Sequence, residues 1–358
     1  MHVGFSLLTL FPGRVGGSET NVRGLLAEFA RGNGPERVTA LANRHVLDAY
    51  RSEGPVEVRH VPSYRPGNSA ATRFLAMNAG RVWPELDGRE FDVVHYPITV
   101  PVPSIDGVPR VVTLLDVQHH ELPGMFSRPE RWLRSWAYDG AARGADLVIT
   151  ISEHAKAGIV EHLGVPAERI EVIGLGVDHE RFTPGGHRRD DLGDYVLYPA
   201  NLWPHKNHER LLEAWRQVDP ALTLVLTGQT FGRTISQERV RHLGHVPADK
   251  LPALYRGARA VVFPSLFEGF GVPVLEAMAC GTPVATSDRG SLAEVAGDAA
   301  LLFDPEDAEA IAAVVERVCR DDAMRARLRA NGSQRAARYT WAASAGAHDA
   351  AYRRVVGR

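Results

Sequence analysis

Cysteine and long apolar runs are scarce in this sequence of 358 residues, and each scarcity argues against a class of protein. The two cysteines, Cys280 and Cys319, lack the spacing of metal ligands, so we expect a reducing compartment such as the cytoplasm and no structural zinc. No apolar run reaches the roughly 18 residues of a transmembrane helix. Residues 1–10 lack a basic segment and a cleavage site, and they predict a β-strand rather than a signal peptide.

Net charge and chain length narrow the remaining classes. A formal net charge of −2 gives no electrostatic basis for binding nucleic acid. A chain of 358 residues exceeds the roughly 250–300 residues that one hydrophobic core usually serves, so two domains are expected. A polar stretch rich in glycine and proline, residues 182–190, is typical of a linker between them.

Apolar, strand-like runs alternate with amphipathic helical stretches along both halves, which predicts α/β domains with parallel sheets and crossover helices. The predicted strands lie near residues 3–10, 38–42, 56–61, 93–96, 111–115, 147–151, 195–199, 223–227, 260–263, 283–286 and 300–303. We therefore expect two doubly wound domains, residues 1–184 and 185–340, with ligands at the carboxyl ends of the strands in a cleft between them.

Two carboxylates with seven residues between them, Glu268 and Glu276, form the most informative motif. The apolar run 260–264 predicts a buried strand that ends in a loop carrying Glu268. The residues of the turn and helix start that follow are Gly269, Phe270, Gly271 and Val272. Glycine lets backbone amides approach a ligand closely, and the positive end of the helix favours a phosphate. The pattern predicts a nucleotide-sugar site, and the alternative is an ordinary strand-loop-helix with two solvated glutamates.

The string from Phe263 to Ala285 resembles the Glu-x7-Glu donor-site signature of the retaining glycosyltransferases of family 4, and the resemblance continues through residues 287–305. It implies the GT-B fold, in which the first of two Rossmann-like domains binds the acceptor and the second binds the nucleotide-sugar donor. It implies that a C-terminal helix, at about 341–358, packs back onto the first domain. It also implies retention of the anomeric configuration without an enzyme nucleophile, a cofactor or a metal ion.

Lys206 is one of only three lysines among 41 basic residues, and it follows a predicted strand. A lysine there can neutralise a diphosphate leaving group, whereas a solvated surface lysine is the ordinary alternative. By the resemblance, Lys206 and Glu268 act in catalysis, with Glu268 on the donor sugar's hydroxyls, and Glu276 binds the ribose. The resemblance also implies contacts beside the nucleobase and a flexible Gly-Gly loop near the phosphates, at Gly228, Val246, Gly16 and Gly17.

Two positions depart from the family pattern. Asn201 stands in the donor site where the family usually has an arginine, so another basic group, such as an arginine of the glycine-rich loop, is needed there. Leu115 stands where relatives often carry a histidine before the aspartate that is Asp116 here. We expect Asp116 to lie near the reacting sugar, with His119 as the candidate for the absent histidine. His120 is the other candidate, and a structural or exposed role for both histidines is the alternative.

The segment 126–138 mixes arginines with aromatic residues at helical spacing. Trp132 and Trp136 recur on one side of the predicted helix, and Arg128 and Arg131 lie elsewhere on it. One interpretation is a surface that contacts a membrane or a lipid-linked acceptor. The other, which is the commoner outcome for such a pattern, is a core-facing helix with a solvated basic side.

The sequence therefore predicts a metal-independent, retaining bacterial hexosyltransferase. It would move a sugar from a UDP- or GDP-sugar to a hydroxyl of a glycan, a glycolipid or a small molecule, in polysaccharide, glycolipid or secondary-metabolite biosynthesis. One alternative is a nucleotide-sugar-binding subunit that needs a partner chain. Another is a nucleotide-sugar epimerase or hydrolase, which would use Asp116 with His119 or His120 as its acid/base pair. The expected compartment is the cytoplasm, with peripheral contact at the inner face of the membrane as a further expectation.

Overall fold

The computed structural model describes residues 1–13, 16–64 and 86–357 of the chain. The chain forms two compact units. The N-terminal unit comprises Met1–Gly176 together with Trp341–Arg358, and the C-terminal unit comprises Val177–Thr340. Phe182, in the stretch that resembles a linker, packs its ring against Tyr255 of the C-terminal unit, with the ring centroids 6.0 Å apart.

Thirteen strands in the described residues form two sheets, one in each unit. The strands are β1 (His2–Ser6), β2 (Arg37–Ala42), β3 (Val56–His60), β4 (Val93–Tyr96), β5 (Arg110–Thr113), β6 (Leu147–Thr150), β7 (Ile170–Val172), β8 (Tyr195–Pro199), β9 (Thr223–Thr227), β10 (Val240–His242), β11 (Ala260–Phe263), β12 (Val284–Ser287) and β13 (Ala300–Phe303). The first sheet has the order β3-β2-β1-β4-β5-β6-β7, and the second has the order β10-β9-β8-β11-β12-β13. All neighbouring strands within the two sheets are parallel.

The sheet order reverses between β1 and β4 in the N-terminal unit and between β8 and β11 in the C-terminal unit. Central strands such as β4 and β11 are buried along their whole length, because helices cover both faces of a parallel sheet. That burial explains why these strands are nearly continuous apolar runs in the sequence. The two sheets confirm the predicted pair of doubly wound α/β domains.

The helices connect the parallel strands and cover the sheets. They are α1 (Gly17–Ala30), α2 (Gln118–Glu121), α3 (Arg128–Arg134), α4 (Gly140–Arg143), α5 (Glu153–Leu163), α6 (His208–Trp215), α7 (Leu251–Gly257), α8 (Val272–Ala279), α9 (Gly290–Ala296), α10 (Ala308–Arg320), α11 (Asp322–Ala336) and α12 (Trp341–Val356). A five-residue π-helix, Ser135–Asp139, lies between α3 and α4. Within the described ranges, no helix has the length and apolar character needed to cross a membrane.

The C-terminal helix α12 belongs to the N-terminal unit, where it packs against α1. Tyr352 of α12 is fully buried, and its hydroxyl shares a hydrogen bond of 2.7 Å with Nδ1 of His95 in β4. The Nε2 of His95 is in turn 2.7 Å from the hydroxyl of Thr113 in β5. Buried polar atoms are costly unless they are paired, so this chain of hydrogen bonds fixes α12 against the sheet.

The close approach of α1 to α12 depends on a glycine. A Cβ added at Gly24 would lie 2.2 Å from the ring of Trp341, which is too close for any real contact. We predict that Gly24→Ala lowers the free energy of unfolding by about 1–3 kcal/mol, because the helices must separate or the indole must leave its site. Denaturant unfolding of the variant measures the loss.

Gly346→Ala is the matched control, because Gly346 lies on α12 and a Cβ there meets nothing within 4 Å. That variant should be neutral or more stable by about 0.5–1 kcal/mol, since alanine favours the helix over glycine. Equal stabilities of the two variants would contradict the tight contact between α1 and α12.

Candidate functional site

The loops after β8 and β11 carry two of the predicted site residues. Lys206 ends a short 3-10 turn, Pro204–Lys206, in the loop after β8, and Glu268 lies in the loop after β11. These two strands are the neighbours at which the order of the second sheet reverses. Doubly wound sheets bind ligands outside the carboxyl ends of their strands at such a reversal. The topology therefore places both residues where a ligand is expected.

Lys206 and Glu268 form a close ion pair. The Nζ of Lys206 lies 2.6 Å from Oε1 and 2.7 Å from Oε2 of Glu268. The side chains are 20% and 16% exposed, so the pair is shielded from bulk water yet remains within reach of a ligand. An ammonium group has three N–H donors, so Lys206 can contact this carboxylate and still donate a hydrogen bond to a ligand.

Hydrogen bonds from neighbouring residues hold the loop of Lys206 in place. Asn207 adopts the left-handed conformation, with φ of 58°, and its amide donates to the carbonyls of Pro264 at 3.0 Å and Pro305 at 2.7 Å. The hydroxyl of Tyr198 in β8 donates to the carbonyl of Lys206 at 2.6 Å. Because these bonds join segments from three strand ends, the ammonium is held by the scaffold and not only by Glu268.

The residue before Lys206 does not add to the positive charge of the site. Burial, aided by the charge of Lys206, lowers the pKa of His205 to about 4. Its imidazole is therefore neutral at neutral pH, while its carbonyl accepts the N–H of Leu266 at 2.8 Å. His205 thus joins the loops after β8 and β11 without contributing a cation.

Helix α8 begins directly after the loop of Glu268. Gly271 caps it with φ of 109°, and a Cβ there would lie 2.9 Å from Leu292 Cδ2, so the turn needs glycine. Phe270 is 5% exposed and packs on Tyr339, so its ring is part of the core and only its backbone can reach a ligand. The remaining residues of this turn, Gly269 and Val272, are half-buried.

Glu276 lies one turn into α8, where the residue is half-buried and its carboxyl group is largely desolvated by the surrounding atoms. Burial raises the pKa of its carboxyl to about 7, against the opposing effects of a hydrogen bond from Tyr255 and the charge of Arg181. The hydroxyl of Tyr255 donates to Oε2 of Glu276 at 3.1 Å, and Asp178 adds a like charge nearby. Sequence reasoning misses Tyr255, because it lies in an apolar helical pattern that indicates only a core position.

The raised pKa predicts a pH-dependent stability. A glutamate has a pKa near 4.5 when unfolded and about 7 here, so folding favours the protonated form. The carboxyl therefore costs increasing stability as the pH rises from about 4.5 to 7, and the full cost is present above pH 7. We expect Glu276→Gln to be about 1–3 kcal/mol more stable than the wild type at pH 8 and nearly equal to it at pH 4.5.

Denaturant unfolding at several pH values measures this difference, with the exposed Glu161→Gln as the control. The control should follow the wild type at every pH. A Glu276→Gln variant that gains nothing between pH 4.5 and pH 8 would contradict the desolvated position of this carboxyl group.

The loops after β8 and β9 meet at a second glycine. Gly228 has φ of 108°, and a Cβ there would lie 2.6 Å from the carbonyl oxygen of Ala200. Asn201 accepts the N–H of Gln229 on its Oδ1 at 2.8 Å, so this side chain joins the two loops. Val246 is half-buried in the segment after β10, close to Gly244, whose carbonyl accepts the N–H of Gly228 at 2.8 Å.

The glycine-rich loop of the N-terminal unit precedes α1. Gly16 and Gly17 are exposed, and Gly16 has φ of 53°. The carboxylate of Glu19 in α1 accepts the N–H of Gly13 at 2.6 Å. The arginine of this loop that the sequence offers in place of the missing family arginine is Arg14, which lies outside the described residues.

The loop after β5 does not present a free histidine. His119 is 3% exposed, and its Nε2 lies 3.1 Å from Oδ1 of Asp139, while Nε2 of His120 lies 3.0 Å from Oδ2 of the same carboxylate. Asp116 is half-buried and accepts the N–H of Gln118 at 3.1 Å. Asp139 belongs to no recognisable sequence motif. It reaches the two histidines from the end of the π-helix Ser135–Asp139.

The tryptophans of segment 126–138 are exposed rather than core-facing. Trp132 is 63% exposed and Trp136 is 44% exposed, and α3 buries none of its residues. The side chain of Ser127 accepts the N–H of Glu130, and Glu130 bonds back to the N–H of Ser127, so a capping box starts the helix. The core-facing interpretation is therefore wrong for both tryptophans.

Two family models match adjoining parts of the chain. The model described as Glycosyltransferase Family 4 matches residues 15–181, and the model described as Glycosyl transferases group 1 matches residues 182–335. This chain belongs to the family 4 glycosyltransferases. The second match covers the ion pair of Lys206 and Glu268 as well as Glu276, so the predicted family is confirmed over the segment that carries the site.

Curated relatives of this chain include proteins of several bacteria. O-antigen chain mannosyltransferase B of Escherichia coli is 35% identical over 221 residues, which are 55% of this chain and 58% of that protein. D-inositol 3-phosphate glycosyltransferase of Salinispora tropica is 33% identical over 275 residues, which are 66% of this chain and 57% of that protein. The chain thus spans less than two thirds of the length of these relatives.

Solved structures of glycosyltransferases share the fold along the whole chain. Sucrose-phosphate synthase from Thermosynechococcus elongatus has a TM-score of 0.80 at 22% identity and covers 100% of this chain and 99% of its own. Anabaena HepE, solved in complex with UDP and glucose, has a TM-score of 0.72 at 23% identity and covers 98% of both chains. The GT-B fold that the sequence predicts is confirmed.

Proposed function

We propose that this chain is a retaining glycosyltransferase that moves a hexosyl group from a UDP- or GDP-sugar to an acceptor hydroxyl. The observation that carries the proposal is the ion pair of Lys206 and Glu268 at the strand-order reversal of the second sheet. Catalysis of sugar transfer requires a cation where the diphosphate leaves and an acceptor of hydrogen bonds where the sugar lies. These two side chains supply one of each.

Lys206 acts on the leaving group in this proposal. When the bond between the anomeric carbon and the diphosphate oxygen breaks, the diphosphate takes the electron pair, and the Lys206 ammonium stabilises the negative charge that develops. Glu268 orients the ammonium and accepts hydrogen bonds from the donor sugar's hydroxyls. Because the loop of Lys206 is tied to Pro264 and Pro305 through Asn207, the cation is in position before the reaction begins.

The remaining donor contacts come from the C-terminal unit. Glu276 accepts hydrogen bonds from the ribose, and its ionised form above pH 7 is the better acceptor. The backbone at Gly271 and Val272, at the positive end of α8, faces the diphosphate. Gly228 and Val246 lie beside the base. The acceptor hydroxyl forms the new bond on the face that the diphosphate leaves, and its proton goes to a diphosphate oxygen, so no enzyme nucleophile takes part.

A hydrolase or epimerase is less well supported than a transferase. Such an enzyme needs an acid/base pair free to act on the substrate, and the sequence offers only Asp116 with His119 or His120 for it. Both histidines contact Asp139, and His119 is buried. One observation supports the alternative of a partner-dependent subunit. Asn201 occupies the position where the family usually has an arginine, and its side chain accepts a hydrogen bond from Gln229.

Analysis of the product tests the proposal. The protein is incubated with UDP-glucose, UDP-N-acetylglucosamine or GDP-mannose and a panel of glycan and lipid-linked acceptors, and proton NMR reports the anomeric configuration of the new linkage. We expect an α-linked product from an α-linked donor, with one nucleoside diphosphate released per linkage. A β-linked product would contradict retention, and release of free sugar with every acceptor would favour the hydrolase.

We further propose that the exposed face of α3 and the π-helix binds an anionic membrane surface at the cytoplasmic side. Trp132 and Trp136 expose indole rings of the kind that lie at membrane interfaces, and the exposed Arg128 and Arg131 add positive charge beside them. Such contact would bring the enzyme to a lipid-linked acceptor.

Vesicle sedimentation checks the membrane contact. We expect the wild type to sediment with vesicles containing phosphatidylglycerol, and a Trp132→Ala/Trp136→Ala variant to bind at least tenfold less. Binding should weaken with salt, because the arginines contribute electrostatically. Trp203→Ala removes a tryptophan that is 47% exposed in the other unit and should bind as the wild type does. Equal loss in both variants would contradict a role for this face.

A further inference from the structure

The connection between β5 and β6 brings together two imidazoles and one carboxylate that the proposed donor site does not use. His119 and His120 are consecutive in α2, and Asp139 ends the π-helix Ser135–Asp139. One ring nitrogen of each histidine is 3.1 Å or 3.0 Å from an oxygen of the Asp139 carboxylate. The three candidate ligand atoms all lie within 4.8 Å of one another.

We propose that His119, His120 and Asp139 bind one divalent transition-metal ion, for which Zn²⁺ is the best match. Zinc takes imidazole nitrogen and carboxylate oxygen as ligands at about 2.0–2.2 Å in tetrahedral geometry. Two ligands at that distance from a tetrahedral ion are about 3.3 Å apart, which is close to the nitrogen–oxygen separations here. Magnesium and calcium prefer oxygen ligands, so neither fits this donor set.

The burial of Asp139 supports a cation at this position. Asp139 is 3% exposed, and a buried carboxylate is costly unless a positive charge compensates it. Among the described residues, no lysine or arginine forms an ion pair with it. Arg134, one turn earlier, instead places its guanidinium over the rings of Phe126 and Tyr138, 4.7 Å and 5.7 Å from their centroids. A divalent ion would supply the compensating charge.

The local backbone and exposure also fit a metal site. The π-helix inserts an extra residue into the helical path and turns Asp139 inward, and π-helical turns are frequent at functional sites. The side chain of His120 is 26% exposed, which gives an ion an entry path and a position for a water as the fourth ligand. His162 of α5 stacks on His120 at 5.4 Å and 11° and so fixes the orientation of that ring.

The proposed ion would lie in the N-terminal unit, held by three protein ligands. It would link α2 to the π-helix across the long connection between β5 and β6, next to Asp116 at the carboxyl end of β5. The proposed donor residues Lys206, Glu268 and Glu276 belong to the other unit, and none of them is a ligand of the proposed ion.

Metal titration of the full chain tests the proposal. The protein, freed of any affinity tag and stripped with a chelator, is titrated with Zn²⁺ by calorimetry and with Co²⁺ by visible absorption. We expect one equivalent of each ion, the absorption of four-coordinate Co²⁺, and a melting temperature that rises with Zn²⁺. His120→Ala should lower the affinity at least tenfold and abolish that rise. Because His120 is only half-buried, this variant is expected to fold.

Two further variants keep the test decisive. Asp139→Asn removes the charged ligand while keeping the shape of the side chain, and it should weaken binding as His120→Ala does. The chain has 15 histidines, so His187→Ala, which removes an exposed imidazole in the C-terminal unit, controls for adventitious binding and should match the wild type. Burial raises the pKa of Cys280 and of Cys319 to about 12, so neither offers a thiolate to the ion at neutral pH. A wild type without saturable binding, or His120→Ala and Asp139→Asn variants that bind as it does, would overturn the proposal.

Discussion

Lys206→Ala is expected to lower kcat about 10²–10³-fold, because the ammonium opposes charge that develops only as the diphosphate leaves. KM for the donor should also rise, by a smaller factor than the fall in kcat, because the ammonium attracts the negative charges that the diphosphate already carries in the bound donor. The affected step is the departure of the diphosphate, at which Nζ of Lys206, now 2.6 Å from Glu268, would face the phosphate oxygens. Steady-state kinetics with the nucleotide sugar identified for the wild type measures both parameters. Lys206→Arg should recover little, since a planar guanidinium does not fit the place of a compact ammonium.

The matched control is Lys250→Ala. Lys250 is 73% exposed, and its one ion pair within the described residues is with the adjacent Asp249, so its loss should leave kcat within about twofold of the wild type. A melting curve of Lys206→Ala separates chemistry from folding, because the substitution leaves the half-buried Glu268 without its cation. A Lys206→Ala variant that is folded and has the wild-type kcat would contradict the proposed role of this lysine in catalysis.

Gly228→Ala is expected to lower the free energy of unfolding by about 2–4 kcal/mol, which is large for a single methyl group. Two effects add. The residue has φ of 108°, which an L side chain rarely adopts, and the new Cβ would lie 2.6 Å from a backbone oxygen of Ala200 that cannot rotate away. The ends of β8 and β9 must then separate, and Asn201 would lose its contact with Gln229. Denaturant unfolding measures the loss, and donor binding should weaken with it.

Gly232→Ala measures the conformational part of this effect without the steric part. Gly232 lies in the same loop region and has φ of 82°, but a Cβ there meets nothing within 4 Å. That variant should show only the conformational strain, about 1 kcal/mol. If the two variants lose equal stability, the close approach of the two loops is contradicted.

Much of the proposed donor site could be predicted from the sequence, because its residues directly follow the ends of predicted strands. The strands 260–263 and 300–303 match β11 and β13, and the reversal rule places Lys206 and Glu268 on neighbouring loops although 62 residues separate them. The sequence pattern does not predict the edge strands β7 and β10. Each has only three residues and includes a charged one, Glu171 or Arg241, so neither gives an apolar run.

Other features depend on packing that no local pattern encodes. Asp139 meets His119 and His120 only through a π-helix, and a single extra residue per turn leaves no trace in hydrophobic periodicity. Burial in the packed unit raises the pKa of Glu276, and the hydroxyl that partly opposes this shift comes from α7, a helix that the sequence indicates only as core. The sequence does not determine the orientation of Trp132 and Trp136, because helical spacing alone does not indicate which face of the helix packs against the core.

Donor binding to the wild type and to matched variants tests the central claim most directly, namely that Lys206, Glu268 and Glu276 form a nucleotide-sugar site. The melting temperature is measured with UDP-, GDP-, ADP- and dTDP-sugars for the wild type, Glu276→Ala, Lys206→Ala and Lys250→Ala. A donor at a hundredfold excess over its dissociation constant stabilises the folded state by about 2.7 kcal/mol. We predict a clear rise with one class of donor for the wild type and Lys250→Ala, and a much smaller rise for the other two variants. No rise with any donor, or an equal rise in all four proteins, would contradict the site.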